Sequence, residues 1–267
     1  MQRNNRAQGA LLQKHQQDTH LTESRPTVLS EKTLLTLADT CLLWGHRLSE
    51  WCGHGPALEE DIALTNTALD VIGQSRALLQ LAASRSGGNV TEDTLAYFRD
   101  PDQFRNVTMA ALPNGDYAHS IARSFLLTAW FVPVWDSLST IADTSLAAIA
   151  ASAVKESRGQ LRHASDWVIR FGDGTAESRA RIEAAFSRLW PHCDELMHVV
   201  ILGSDQSSRN TQWRDTVQRT FDAATLGAVE QSLPPAGTAL QAAANEHRAA
   251  LLTEMQSVAR QHPGASW

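Results

Sequence analysis

An all-α fold is predicted by three features of the sequence. Apolar residues recur three and four positions apart through nearly every segment after residue 30, no sustained period-two stretch competes with them, and turn residues separate the periodic stretches. At 267 residues with 43% hydrophobic side chains, the chain is long enough to bury a substantial core. One helical domain is expected over residues 31–267. Residues 1–30 are polar and Gln-rich and read as a disordered tail.

The first long helix is expected over 31–51, its stripe formed by Leu34, Leu35, Leu37, Cys41, Leu42 and Leu48, and "CGHGP" breaks it. A second covers 56–84, with Pro56 in the first turn, Glu59, Glu60 and Asp61 at the positive end of the helix dipole, and Gly87 and Gly88 beyond its end. After a short helix following Thr91 and a turn at "LPNGD", a third spans 116–138 with a kink at Pro133. The fourth, 145–171, repeats Leu146, Ile149, Ala153, Ser157, Leu161, Ala164 and Val168 at helical spacing. Thr175 caps a further helix that continues through Trp190-Pro191 toward residue 202. A polar loop "GSDQSSRNTQ" and helices over 213–226 and 238–261 complete the chain. Two hairpins of long helices, joined by a longer connection, match a ferritin-like four-helix bundle with extra C-terminal helices.

Net charge is −6 with acids and bases interspersed, so no basic face argues for nucleic acid or an anionic membrane. Neither a signal-peptide apolar run nor a membrane span is found. Cys41, Cys52 and Cys193 form no CxxC pair and read as reduced packing residues, which suits the cytoplasm.

"DVIGQSR" from Asp70 and "ESRGQLR" from Glu156 share one frame: an acid, two residues, Gly-Gln, one residue, Arg. They lie mid-way along the second and fourth long helices. A ferritin-like di-iron centre takes a Glu-x-x-His pair from each of those helices. With Gln74 and Gln160 at the histidine positions, the residues three earlier are Val71 and Ser157. With Asp70 and Glu156 at the glutamate positions, Gly73 and Gly159 fall where histidine belongs. Either register leaves both pairs incomplete, and a neutral amide replaces imidazole poorly on iron. The third helix has no Asp or Glu between Tyr117 and Trp135, and the first, past its opening Glu31, offers only Asp39 and Glu50. No catalytic residue and no metal ligand is assigned. Asp70 with Gln74, and Glu156 with Gln160, are instead expected to touch along one helix face, with Arg76 and Arg162 reaching acids on neighbouring helices. The alternative is two ordinary solvated faces of chance similarity. His163, two turns beyond Glu156, reads as a structural or interface histidine, and His192, Cys193 and His198 lack the companion motif of a metal site. "FGDGT" is a turn between helices without a phosphate-loop lysine.

The blocks "LSEWCGHGPALEEDIALTNTALDVIGQSRALL", "EDTLAYFRDPDQFRN", "LPNGDYAHSIARSFL", "AVKESRGQLRHASDWVIRFGDGTAESRARI" and "EMQSVARQHPGASW" resemble the C subunits of bacterial phenylacetyl-CoA epoxidases, in the phenylacetic acid catabolic family. The similarity runs from about Leu34 to the C-terminus, weakens over 199–245 and leaves the tail outside. It implies a ferritin-like subunit without an iron site that supports a homologous catalytic di-iron A subunit, alongside a small B subunit. The complex would epoxidise the ring of phenylacetyl-CoA with O2 and electrons from NADPH, through a reductase carrying FAD and iron-sulfur. The family usually has Tyr-His where this chain has Gly159-Gln160.

Three readings follow: a non-catalytic structural subunit, with some of Trp44, Trp51, Trp130, Trp135, Trp167 and Trp190 as interface anchors; an oxygenase retaining iron through Glu50, Asp61, Asp70, Glu156 and His163; and an acyl-CoA binding module using the bundle interior.

Overall fold

The structure, a computed structural model, describes residues 29–201, 204–227 and 237–265. The tail expected over 1–30 therefore lies outside the described residues except for its last two. Every regular element among the described residues is a helix. Four are long: α1 (Glu31–Ser49), α2 (Leu58–Ser86), α5 (Tyr117–Leu138) and α6 (Thr144–Gly172). Between α2 and α5 lie the short α3 (Glu92–Tyr97) and α4 (Thr108–Ala111). After α6 come α7 (Ala176–Leu189), α8 (Cys193–His198), α9 (Gln206–Ala223), α10 (Thr238–Met255) and α11 (Ser257–Gln261).

Side-chain caps set most of the starts. Ser30, Asp116, Asp143 and Thr175 each accept the backbone N–H three residues on, at 2.9–3.2 Å. Pro56 stands before α2 and not in its first turn. The helix expected to run through Trp190-Pro191 stops at Leu189, followed by a 3-10 turn over Trp190–His192 and then α8. Asp205 Oδ1 accepts Ser207 N at 2.9 Å and Ser208 N at 3.3 Å, so α9 starts inside the stretch expected to be a loop. The last helix divides at Gln256, whose buried amide donates to Ala96 O and Arg99 O at 3.1 and 3.0 Å. α5 runs on through Pro133.

The long helices form two antiparallel hairpins, α1 with α2 and α5 with α6. The connection after α2 climbs back along α1, so α5 starts at the end of the bundle where α1 finishes. Its rungs on α1 are polar. The buried Asp39 carboxylate accepts from the Arg99 guanidinium at 3.0 Å and from Arg105 N at 2.8 Å, and Val107 N donates to Thr40 Oγ1 at 3.0 Å. Arg47 then holds Ala111 O at 3.1 Å, and Asn114 holds Arg47 O at 2.6 Å. This crossover makes α1 antiparallel to α5 and α2 antiparallel to α6, which is the ferritin-like arrangement. Gly45 lets α1 settle on α2: a Cβ there would come within 2.5 Å of Ile72 and 3.3 Å of the Ala68 carbonyl.

α5 is buried almost all round, which explains a helix without acids from Tyr117 to Trp135. The later helices cover its outer side. Phe125 meets Phe186 at 6.2 Å, Trp130 Nε1 donates to Leu196 O at 3.0 Å, and Trp213 Nε1 to Leu126 O at 3.2 Å. Trp44, Trp130 and Trp135 are thus core residues of this chain, which removes them as interface anchors; Trp51, Trp167 and Trp190 are partly buried.

Candidate functional site

Two seams meet at the centre of the bundle, and the first, between α1 and α5, is aromatic. Trp44 stacks on Phe131 at 6.1 Å, and Phe131 on Trp135 at 5.4 Å, with all three nearly inaccessible. The single carboxylates that helices in these places would give an iron centre have no counterpart here. Asp39 is turned to the Arg99 ion pair, and Glu50 sits at the end of α1, bonded to Arg47 at 2.7 Å and Asn114 at 2.8 Å.

The second seam, between α2 and α6, is polar and contains the twin frames. Val71, Gln74, Ser157 and Gln160 are all buried and turned into the bundle, while Asp70 and Glu156 stand half-buried at the edge. The amides do not bond the acids of their own helices. Gln74 Nε2 donates across the seam to Glu156 Oε2 at 2.8 Å, and Gln160 Nε2 to Asp70 Oδ2 at 3.2 Å. The cause is antiparallel packing: with the acid four residues before the amide on both helices, reversing one helix sets each amide opposite the other's acid. Ser152 adds a bond to Glu156 at 3.2 Å, and Gln74 Oε1 faces Cys41 Sγ at 3.9 Å. Burial pushes the Cys41 thiol well up, so it stays protonated. A groove of 280 Å³, lined by Asp70, Gly73, Gln74 and Glu156 among others, opens outward from the seam.

The arginines of the frames lie outside this network. Arg76 is exposed and reaches Glu92 only at 3.7 Å, and Arg162 is exposed with no ion pair among the described residues. His163 stands nearer the end of the bundle where α5 begins, its Nε2 2.9 Å from Glu60 Oε2. Tyr117 donates to the same oxygen at 2.6 Å, so one carboxylate joins α2, α5 and α6 beneath Trp51 and Trp167. Burial raises the Glu60 pKa, but the bonds from Tyr117 and His163 outweigh it and leave the carboxyl below its usual value. Glu60 and Tyr117 were legible only as a first-turn acid and a helix start, because their partners are 57 and 103 residues apart in sequence.

The five residues of the alternative iron reading are dispersed. Glu50 is at the end of α1, Asp61 braces the preceding loop by accepting Gly55 N at 2.9 Å, Asp70 and Glu156 hold the two amides, and His163 holds Glu60. His192 is buried, Cys193 bonds Leu189 O, and exposed His198 bonds Asp194 O, so these three do not converge. Among the described residues, no group of three His, Cys, Asp or Glu side chains stands close enough to hold a metal. The residues at the centre therefore do not fit a di-iron group: two carboxylates facing amides, without an imidazole, are a poor donor set.

The family model for phenylacetic acid catabolic protein matches residues 12–267. The chain belongs to this family. The match begins at residue 12, inside the tail that sequence blocks alone left out. Within the family, the C subunit of 1,2-phenylacetyl-CoA epoxidase from Escherichia coli (strain K12) is 37% identical over 242 residues, which cover 87% of this chain and 97% of the relative. No helix among the described residues is long and apolar enough to cross a membrane.

Proposed function

We propose that this chain is a non-catalytic structural subunit of a multicomponent di-iron monooxygenase that epoxidises the ring of phenylacetyl-CoA in aerobic phenylacetate catabolism. The observation that carries this reading is the paired amide bridge. At the four inward positions where a ferritin-like centre needs Glu-x-x-His twice, Val71, Gln74, Ser157 and Gln160 stand instead, and both amides are spent on holding α2 to α6. The seam fixes helix register and carries no open ligand set. The 37% identity to a protein named as part of an epoxidase supplies the reaction and the setting.

In this reading the catalytic iron belongs to a homologous A subunit, and a B subunit and a reductase using NADPH, FAD and iron-sulfur complete the complex, in the cytoplasm. An outward stripe on α2 supports a role through contact: Leu58, Ile62 and Leu69 are 73%, 51% and 64% exposed and share one helix face. Expression with the genes of its own complex, followed by iron counting on each separated subunit, tests the proposal. Iron is expected in the partner and absent from this chain. Near-stoichiometric iron in the isolated chain, with oxygen-dependent turnover, would overturn it.

A further inference from the structure

A second feature lies away from the central seams, where the N-terminal turn of α5 meets one face of α7. Asp116, His119, Glu177, Arg181 and Arg188 line a groove of 440 Å³ over a floor of alanines that includes Ala184. Three of its charged side chains are already committed. Arg181 donates to Glu177 at 2.6 Å and to Asp116 at 3.2 Å, and Asp116 also caps His119 N at 2.9 Å. The other two polar side chains have no such partners. Arg188 is exposed and makes no ion pair or hydrogen bond among the described residues. His119 is only 9% exposed, its ring makes no hydrogen bond, and Nδ1 is buried without a partner.

Buried imidazoles are ordinarily paired, so an unpaired one lining a groove beside an uncommitted guanidinium points to a ligand. Behind it Arg123, fully buried, is held by Leu112 O and Asn114 Oδ1 and adds positive charge. The charged side chains that line the groove, Asp116, Glu177, Arg181 and Arg188, balance one another, and Arg123 adds one positive charge from behind it. Burial first, then Arg123, push the His119 ring down to about 4, so at neutral pH it is an uncharged N–H donor beside a permanent cation.

We propose that this groove binds a phosphate group, with Arg188 clamping the oxyanion and the His119 ring N–H donating to it. Arg presents a planar fork that matches phosphate oxygens. The carboxylates of Asp116 and Glu177, which also line the groove, oppose a polyanion. The alanine floor leaves room for an uncharged body, so a phosphate monoester and free phosphate are the two sources of the same chemistry.

The full-length protein is titrated with inorganic phosphate and separately with phenyl phosphate while the His119 ring resonances, assigned from a His119→Gln spectrum, are followed by NMR. A saturable shift with either probe is expected, weakened at least about tenfold in Arg188→Gln, the effect of losing one charge-assisted contact. Arg188 is exposed and unpaired, so that variant keeps its fold. Tighter binding of phenyl phosphate identifies a monoester as the source, and equal binding identifies free phosphate. No saturable shift with either probe, or an Arg188→Gln protein that titrates like the wild type, overturns the proposal.

Discussion

The two seams of the bundle differ in what fills them. Between α1 and α5 the space is filled by Trp44, Phe131 and Trp135, and the nearby acids are turned to other work. Between α2 and α6 the seam is polar, with the Gln74 and Gln160 amides bonded to acids across the helices. One seam is held by burial and dispersion and the other by directional bonds, so the two should fail differently.

The largest effect is expected on the aromatic side. Phe131→Ala removes the ring that touches Trp44, Trp130 and Trp135, and should cost about 3–5 kcal/mol in denaturant unfolding. A loss below about 1 kcal/mol would show that this seam does not carry the bundle. On the polar side, Gln74→Ala with Gln160→Ala should cost about 1–3 kcal/mol in all, because the released acids are half-buried and can rehydrate through the groove. The same double variant should leave bound iron unchanged, and a fall in iron would contradict the amide reading.

A smaller effect concerns pH. The Glu60 carboxyl is held below its usual value, so its contribution is present above the ordinary glutamate range and is lost as pH falls through the lowered value. Glu60→Gln should therefore flatten the acid-side decline in stability, measured by denaturant midpoints across that range. An unchanged slope would remove Glu60 from the account. The smallest change is a gain. Gly73 and Gly159 are exposed in helix interiors, and a Cβ at either meets nothing within 4 Å, so Gly→Ala at each should stabilise the isolated chain by about 0.5–1 kcal/mol. A loss would mean that these helices need the glycines for their own packing.

Much of the fold was legible because it is local. Periodicity, the caps at Ser30, Asp116, Asp143 and Thr175, and the stop at Gly87 depend on residues within a turn or two of each other. The misread boundaries have local causes too: Asp205 caps a helix inside a polar stretch, and the chain leaves the α-helix at Trp190-Pro191. The site was half legible. Spacing picked out Val71, Gln74, Ser157 and Gln160, which the structure buries in the bundle, but it paired each acid with the amide on its own helix.

By itself the sequence determined the helical class, the two hairpins and the twin frames, since these follow from side-chain type and spacing along the chain. Only the tertiary structure decided who bonds whom. The reversal of α2 against α6 exchanges the partners of Asp70, Gln74, Glu156 and Gln160, and the crossover along α1 brings Tyr117 and His163 to Glu60. Those contacts join residues 57 to 103 positions apart, a separation that no periodicity encodes.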